Sequence, residues 1–403
     1  MSIDHRVLAD EMELYFIDEQ IGAGLPVWLP NGVAIRDSLE GFVKELERRD
    51  GYQRVVSPHL AKAELYELSG HLSHYQDDMF PPLENPLEER ARYYLKPMNC
   101  PHHHKVFAAA PRSYRQLPFR IAEYGQVYRN EPSGSLRGLS RVRGLCQNDA
   151  HIYVDPAEAL DEIIRVLKLH ERCYRALGLQ HYRYRLSKGE AGQWNEPEEI
   201  LRQALQLLKL SYFEAPGEAA FYGPKIDVQM PVGSGEESIA SVQLDIMSAS
   251  RFGLRFVSRR GEPAEPWIIH RAPLGSHERF IAMLLEVFDG RLPGWLAPVQ
   301  LALIPVSENE RSAVREWAES LRQQGIRVYV DESVGSLSKR VHFVHRVRPF
   351  AKIIVGSREV AERRVKLQLR EKIENIDLGE EAKSLALFLN RLLALPLKPP
   401  SEV

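Results

Sequence analysis

Cysteine is scarce in this sequence, with only Cys100, Cys146 and Cys173 among 403 residues. An odd and sparse set excludes a disulfide framework and favours a reducing compartment, so we expect a cytoplasmic protein. Long apolar runs are also lacking. No stretch approaches the roughly 18 apolar residues of a membrane helix, which excludes a membrane-spanning protein. The first residues, MSIDHRVLADEMELY, are partly acidic and resemble neither a secretory signal nor a transit peptide.

Strong net charge is missing as well, because the formal charge is only −2. A protein that binds nucleic acid would therefore need a local basic surface. Residues 338–372 supply one, since this segment contains eleven Lys or Arg and three Glu, which gives a local charge of +8. Charge alone favours a solvated basic face, so the position of this segment in the fold has to decide its role.

The first three-quarters of the chain predict an α+β domain. Ile35, Leu39, Phe42, Val43 and Leu46 recur at helical spacing. The runs FRIAEYGQVYRN and VRGLCQNDAHIYV predict two antiparallel strands joined by a polar loop, and FYGPKIDVQM and SIASVQLDI predict two more. We therefore expect an antiparallel sheet flanked by helices.

The pattern changes near Pro293–Pro298, beyond which strands and helices alternate. LALIPV, IRVYVD, AKIIVG and VKLQL predict strands, separated by amphipathic helices. This alternation indicates a small α/β domain of about 100 residues. We predict a first domain over residues 1–296 and a second over 297–403.

Five segments, taken together and in chain order, carry a family resemblance: LKPMNCPHH, YRNEPSGSLRGLSRVRGLCQNDAHIY, EAAFYGPKID, SVQLD and IHRAPLGSHERF. They resemble class II aminoacyl-tRNA synthetases, and specifically the threonyl-tRNA synthetase family, with weaker likeness from Asp4 to about Leu393. The resemblance implies a six- or seven-stranded antiparallel sheet and an α/β anticodon-binding domain. It also implies a homodimer formed through the helix and strand that end at Pro58.

The same resemblance implies one zinc ion per chain, bound by Cys100, His151 and His270. Their spacings of 51 and 119 residues would not indicate a zinc site by themselves, and without the resemblance we would interpret them as a core thiol and two structural histidines. The run His102–His104 cannot all face one ion, so we expect these side chains to be structural or solvent-facing.

L-Threonine is the amino acid that the resemblance implies, since its amine and hydroxyl can both reach zinc while valine lacks the hydroxyl. Asp149 is expected to accept a hydrogen bond from that hydroxyl, and the rest of the pocket is expected from Met98, Gln147 and Tyr222. Serine differs only by a methyl group. Because the resemblance starts almost at Met1, we expect no amino-terminal editing domain and measurable transfer of serine to tRNA.

ATP, bound with Mg²⁺, is the implied second substrate. Arg129 matches the family arginine that bridges the amino-acid carboxylate and the α-phosphate, and Arg279 matches the one that lies over adenine and reaches the γ-phosphate. Glu131 is expected to recognise the adenine amino group. Lys225 and Gln243 are expected to contact the carboxylate or phosphate and the adenosine. Arg129, Lys225 and Arg279 are our candidate catalytic residues.

The second domain matches the family less well. Glu359 stands where expected, and Arg370 is a further candidate for anticodon contact. Gln368 occupies a position where the family pattern has an arginine. In the preceding helical segment, SLSKRVHFVHRVRPF, the proline is shifted by one residue relative to that pattern. Loss of a charged bidentate donor changes how an anticodon base could be recognised.

The main hypothesis is therefore ATP-dependent threonyl-tRNA synthesis. The alternative is a paralogue that activates threonine for another acceptor, such as a carrier protein, a possibility motivated by the altered anticodon strand. A non-catalytic RNA-binding regulator is disfavoured because it would not need the intact arginines and zinc ligands. A metallohydrolase is disfavoured because no helical His-x-x-x-His spacing accompanies a carboxylate.

Overall fold

A computed structural model describes residues 3–85, 91–190, 192–220, 222–233, 235–369, 372–378 and 382–394. The chain forms two compact units. The smaller unit comprises Met1–Phe16, Val27–Phe42 and Leu284–Val403, and the larger one comprises Ile17–Pro26 and Val43–Met283. This division is by compactness, so the domain boundary between residues 296 and 297 stays a prediction. Every helix in the described part of the chain is too short or too polar to cross a bilayer.

The strands, in chain order, are β1 Tyr15–Phe16, β2 Val27–Trp28, β3 Gln53–Arg54, β4 Leu60–Lys62, β5 Leu83–Glu84, β6 Arg92–Leu95, β7 Phe119–Tyr128, β8 Gly144–Val154, β9 Arg183–Ser187, β10 Tyr212–Ala215, β11 Lys225–Val232, β12 Gly235–Asp245, β13 Phe256–Val257, β14 Pro263–Ala264, β15 Trp267–Ala272, β16 Leu301–Pro305, β17 Val328–Val330, β18 Ala351–Val355, β19 Arg364–Gln368 and β20 Ile373–Asp377.

The α-helices are α1 His5–Glu11, α2 Pro30–Arg49, α3 Ala63–Leu68, α4 His71–His74, α5 Cys100–Ala108, α6 Ala159–Leu177, α7 Asn195–Leu207, α8 Ser248–Arg251, α9 His277–Phe288, α10 Arg311–Gln323, α11 Leu337–Arg346, α12 Ser357–Glu362 and α13 Lys383–Leu392.

The larger unit is built on an eight-stranded sheet in the order β10-β9-β11-β12-β15-β8-β7-β3. The six central strands, from β9 to β7, pair with one another in antiparallel fashion, as predicted. The edge strand β3 falls within the strand predicted to end at Pro58, whereas the edge strand β10 was not predicted. Both run parallel to the strand beside them. Parallel neighbours need a crossover, and α7 provides the one between β9 and β10.

Helix α6 illustrates how the sequence sets its element boundaries. Asp155 accepts a hydrogen bond from the amide of Ala157 at 3.1 Å, which satisfies one free donor at the start of the helical segment. The helix ends at Gly178, whose φ of 75° suits a left-handed cap. Ile163, Val166 and Leu167 lie on its buried face.

The smaller unit holds a five-stranded sheet in the order β17-β16-β18-β19-β20. The first three strands are parallel and the last two are antiparallel, which confirms the predicted α/β pattern. Val314, Trp317, Ala318 and Leu321 of α10 are buried, as their spacing predicts. The sequence analysis did not identify α12 or β20, because both are short and rich in polar residues.

Candidate active site

Four strands of the larger sheet align the predicted site residues in one row. Strand pairing sets His151 opposite His270, His270 opposite Gln243, and Gln243 opposite Lys225. Directly opposed residues project from the same face of a sheet. Chain segments that are far apart in sequence are thus combined on one surface.

Alternation along each strand extends this surface. Gln147 and Asp149 lie on the same face of β8 as His151, because they are separated from it by even numbers of residues. Asp245 shares the face of β12 with Gln243 in the same way. These residues surround the centre of the row.

Helix α5 starts at the row and brings Cys100 to it. The Sγ atom of Cys100 lies 3.5 Å from Nδ1 of His270. The ligand atoms of Cys100, His151 and His270 all lie within 4.8 Å of one another. Zn–S and Zn–N bonds of about 2.3 and 2.0 Å at a tetrahedral angle would separate sulfur and nitrogen by roughly 3.6 Å. The Cys100–His270 separation fits this geometry, so the cluster is a candidate zinc site.

The donor set also suits a metal chemically. Nε2 of His151 is buried and has no hydrogen-bond partner among the described residues, so a bound metal would satisfy it. Asp245 holds the other ring nitrogen of His270, Nε2, at 2.9 Å and leaves Nδ1 directed at Cys100. Burial raises the pKa of the Cys100 thiol and lowers the pKa of His151. One thiol and two imidazoles are typical zinc ligands.

The three consecutive histidines next to Cys100 are all buried. The expectation that they could face solvent is wrong, and the structural alternative is right. His103 contacts His151 and Glu123, and His104 lies 2.9 Å from the Tyr153 hydroxyl. They are buried because α5 packs against the central strands instead of lying on the surface.

The residues predicted to bind threonine border the same cluster. Asp149 is 8% exposed and accepts a hydrogen bond from Asn99 at 3.1 Å. The Tyr222 ring lies 5.4 Å from the His270 ring. Asn99 is accommodated by Gly125, where a Cβ atom would come within 2.2 Å of the Asn99 side-chain oxygen. Met98 and Gln147 are partly buried, Met98 two residues before α5 and Gln147 on β8.

Basic residues predicted to bind ATP lie beyond the histidines. Arg279 donates to the carbonyl of Ser140 at 3.2 Å. Desolvation by the surrounding protein lowers its pKa, and Arg129 and Arg141 contribute in the same direction, so three guanidinium groups share this region. Such a group of cations has a strong preference for an anionic ligand.

Three predicted ATP contacts have protein partners in this structure. Glu131 forms an ion pair with Arg141 at 2.7 Å. Lys225 lies 3.0 Å from Asp227, which also accepts a hydrogen bond from Arg185. Gln243 donates to the carbonyl of Gly223 at 3.2 Å. Arg143 donates to three oxygen atoms in neighbouring loops, so its side chain organises those loops.

His71 was missed by the sequence analysis. Its Nδ1 lies 2.7 Å from the Ser69 hydroxyl, while Nε2 is buried without a hydrogen-bond partner in the described part of the chain. Burial, followed by the charges of Arg129 and His270, lowers its pKa to about 4. The ring is therefore neutral at pH 7, and its free nitrogen can donate or accept a hydrogen bond, depending on the tautomer. No local motif marks His71, so only the fold reveals it.

The predicted anticodon residues belong to the smaller unit. Gln368 lines a cavity of about 320 Å³ together with basic and apolar side chains, namely Arg291, His345, Arg348, Pro349, Phe350, Ala351, Lys352 and Leu369. Glu359 accepts a hydrogen bond from the amide of Gly356 at 3.0 Å and thereby caps α12. Arg370 lies outside the described residues.

Comparison with known proteins gives the class. Residues 83–288 match the family model of the tRNA synthetase class II core domain (G, H, P, S and T), and residues 300–384 match that of an anticodon binding domain. The fold and the site thus define a class II tRNA synthetase.

Individual relatives narrow the class. The chain is 43% identical to a threonine–tRNA ligase of Halalkalibacterium halodurans, over 89% of this chain and 57% of the relative. It is 41% identical to one of Chloroherpeton thalassium, over 89% of this chain and 56% of the relative. It thus spans somewhat more than half the length of these relatives.

A solved structure resembles the chain over nearly its whole length. The RNA binding domain of threonyl-tRNA synthetase from Cryptosporidium parvum Iowa II superposes with a TM-score of 0.87 and 32% identity, covering 96% of this chain and 98% of that one. The chain therefore belongs to the threonyl-tRNA synthetase family.

Proposed function

We propose that this chain activates L-threonine with ATP to form threonyl-adenylate, and then transfers the threonyl group to a threonine tRNA. The observation that carries this proposal is the alignment of His151, His270, Gln243 and Lys225 across four strands, with Cys100 beside them. Threonine–tRNA ligases among the relatives support the same substrate class.

Threonine selection is assigned to a zinc ion held by Cys100, His151 and His270, one ion per chain. When bound, this ion would offer its open positions to the amine and hydroxyl of a β-hydroxy amino acid. Asp149, which accepts a hydrogen bond from Asn99, would accept a hydrogen bond from the substrate hydroxyl. Met98, Gln147 and Tyr222 would complete the pocket.

Activation requires a carboxylate to attack the α-phosphorus of ATP, which is bound with Mg²⁺. Negative charge develops on the nonbridging phosphate oxygens, so fixed cations supply most of the stabilisation. Arg129 and Arg279 interact electrostatically in the structure and would hold the α- and γ-phosphates, respectively. Lys225 would contact the carboxylate, and Glu131 and Gln243 the adenosine, after exchanging their present protein partners for substrate.

Anticodon binding is assigned to the cavity beside Gln368. Arg348, Lys352 and Arg291 give it positive charge, and the Phe350 ring offers a stacking surface. Single-stranded RNA is recognised through base edges, stacking and phosphate contact. The amide of Gln368 would hydrogen-bond a base edge without the charge of an arginine, and Glu359 and Arg370 remain candidate contacts.

A homodimer in the cytoplasm is the proposed physiological form. Val56, inside the segment ending at Pro58 that we predict to form the interface, is 90% exposed, and Leu60, two residues beyond that segment, is 39% exposed. Exposed apolar side chains along one segment favour a protein contact. The cysteines are free thiols, in keeping with a reducing compartment.

Transfer of labelled threonine to threonine tRNA transcripts, with ATP, Mg²⁺ and Zn²⁺, tests the proposal. We expect robust transfer, and a 100- to 1,000-fold loss of threonine-dependent pyrophosphate exchange in Arg129→Gln, roughly the effect of removing one charge-stabilising donor. Arg115→Gln, at an exposed arginine hydrogen-bonded to Tyr114, is the control and should be unaffected. Threonine-dependent pyrophosphate exchange without tRNA charging would mean that the acceptor is not tRNA but another molecule, such as a carrier protein. Absence of both activities would refute the proposal.

A further inference from the structure

His103 lies on the same side of helix α5 as Cys100, because residues three apart in a helix are neighbours on its surface. Its ring is fully buried and meets the ring of His151 edge-on, with centroids 4.7 Å apart. Helix α5 therefore supplies one candidate metal ligand, Cys100, and also places His103 against a second candidate ligand, His151.

The His103 ring has a defined partner at each nitrogen. Its Nδ1 lies 2.7 Å from Nδ1 of His151, and its Nε2 lies 2.9 Å from Oε2 of Glu123. Two neutral nitrogens this close need one proton between them. The two histidines and the carboxylate thus form a continuous hydrogen-bonded chain.

Glu123 ends this series of hydrogen-bonded side chains and accepts hydrogen bonds without donating any. It receives the backbone amide of Ser57 at 2.9 Å and the Ser57 hydroxyl at 2.8 Å. The ammonium group of Lys96 lies 3.3 Å away, and all three side chains are buried. An ionised carboxylate cannot donate a hydrogen bond, so the proton between it and His103 belongs to Nε2 of His103.

The remaining proton positions follow by elimination. With Nε2 of His103 protonated, Nδ1 of a neutral His103 is an acceptor. The proton between the two rings must then sit on Nδ1 of His151, which leaves a lone pair on the Nε2 of His151. That nitrogen is the buried atom without a hydrogen-bond partner among the described residues.

We propose that Glu123, acting through His103, is a positioning residue that fixes the His151 tautomer and orients its Nε2 lone pair toward the metal. This inference rests on the proposed zinc site. His270 is controlled in the opposite sense, since Asp245 contacts its Nε2 directly and leaves Nδ1 free for the metal. Asp245 thus leaves Nδ1 of His270 for the metal through direct contact. Glu123 leaves Nε2 of His151 for the metal by acting through His103.

The test is zinc affinity, measured on the full chain by competition with a chromophoric chelator, together with the visible absorption spectrum of the Co²⁺-substituted protein. Glu123→Gln can present its amide as donor or acceptor, so it should no longer impose one tautomer. We expect zinc affinity to fall about 10- to 100-fold, as for other outer hydrogen-bond partners of metal ligands, and the Co²⁺ bands to shift.

Two further variants keep the test independent of folding defects. His103→Asn keeps an amide near the Nδ1 position but loses the contact with Glu123, so it should no longer impose one His151 tautomer. Like Glu123→Gln, it should lower zinc affinity. Glu162→Gln removes another buried glutamate, which pairs with Arg120 away from the histidines, and should leave zinc affinity unchanged.

The outcomes separate the inference from its premise. If the unaltered chain binds neither Zn²⁺ nor Co²⁺, the proposed metal site itself is wrong. If it binds zinc but folded Glu123→Gln has the same affinity and the same Co²⁺ spectrum, the zinc site stands and the role of Glu123 is refuted. Unchanged zinc affinity in folded His103→Asn would also overturn the inference.

Discussion

Cys100 is the residue whose chemistry would depend most on the proposed zinc ion. Burial raises the pKa of its thiol, so a cation is needed to keep the sulfur as a thiolate. Replacing it with serine should lower zinc affinity by at least about 100-fold, beyond the effect of most outer partners, because a hydroxyl is a poor zinc ligand. Metal analysis after dialysis checks this. Cys173→Ala removes a buried thiol of α6 that belongs to no candidate metal-binding group among the described residues, and this variant should retain zinc. Loss of zinc from Cys173→Ala would point to a general structural defect.

Glu123 makes stability depend on pH. Burial raises its pKa, but hydrogen bonds from His103 and Ser57, with the charge of Lys96, outweigh burial and hold the pKa at about 2. A carboxyl pKa that is lowered on folding stabilises the protein above the unfolded value near 4.5, and this stabilisation is lost as pH falls toward 2. The shift corresponds to about 3 kcal/mol.

The matching measurement is urea unfolding of the zinc-free chain and of Glu123→Gln between pH 7 and pH 3. The unaltered chain should be more stable at pH 7, and the difference should shrink steadily on acidification below about pH 4.5. A difference that does not change with pH would mean that Glu123 is not held as a carboxylate in the folded protein.

Single residues also mark where sequence reasoning succeeds. Cys100, His151 and His270 could be assigned only through family resemblance, because 51 and 119 residues of chain separate them and nothing local signals a shared ligand. The structure brings these three side chains together. His71, His103 and Glu123 escaped prediction because their importance arises from burial and from partners distant in sequence.

A buried ion pair links three elements on the face of the sheet opposite the candidate metal ligands. Arg271 of β15 lies 2.8 Å from Glu47 in the last turn of α2, and Asn148 of β8 donates to the same carboxylate at 3.1 Å. Arg271 and Glu47 are at most 1% exposed. Removing one partner of such a pair leaves an uncompensated buried charge.

We therefore expect Arg271→Met to destabilise the chain by about 3–5 kcal/mol. The double variant Glu47→Leu with Arg271→Met should recover much of that loss, since neither charge then remains buried. Urea midpoints of the two single variants and the double variant measure the coupling. Strictly additive effects would show that the two side chains do not stabilise each other.

Two glycines in helical segments should respond oppositely to the same substitution. Gly41 lies inside α2 with open space where a Cβ would be, so Gly41→Ala should stabilise the chain by up to about 1 kcal/mol. Gly178 caps α6 at a φ of 75°, so Gly178→Ala should destabilise by about 1 kcal/mol. Thermal unfolding of both variants checks the signs, and a shared sign would contradict this account.

Strands and helices with strong periodicity were predicted well, whereas the pairing of the edge strands was not. The hairpin of β7 and β8 and the buried face of α10 follow from alternation and helical spacing. β3 lies within the strand predicted to end at Pro58, but its parallel pairing was not predicted, and β10 was not predicted at all. A strand of two to four residues carries no period, and its neighbour is set by the path of the chain.

At the scale of the whole molecule, the proposed pocket predicts a ranking of amino acids. Serine lacks one methyl group, which is worth about 1–3 kcal/mol, so its kcat/KM for pyrophosphate exchange should be about 10- to 200-fold below that of threonine. Valine cannot satisfy the metal or Asp149 and should be disfavoured by about 10⁴ or more. Valine activation at a serine-like rate would mean that selection does not depend on the hydroxyl.

The row formed by His151, His270, Gln243 and Lys225 ties chemistry to folding accuracy. Side chains alternate along a strand, so a slip of one residue in any of these pairings would turn one member of the row to the wrong face. A chain with a slipped pairing at β8 or β15 would be compact yet unable to assemble the three ligands. The number of zinc ions bound per refolded molecule would then equal the fraction of chains in the correct register. Zinc content would therefore measure the yield of correct refolding.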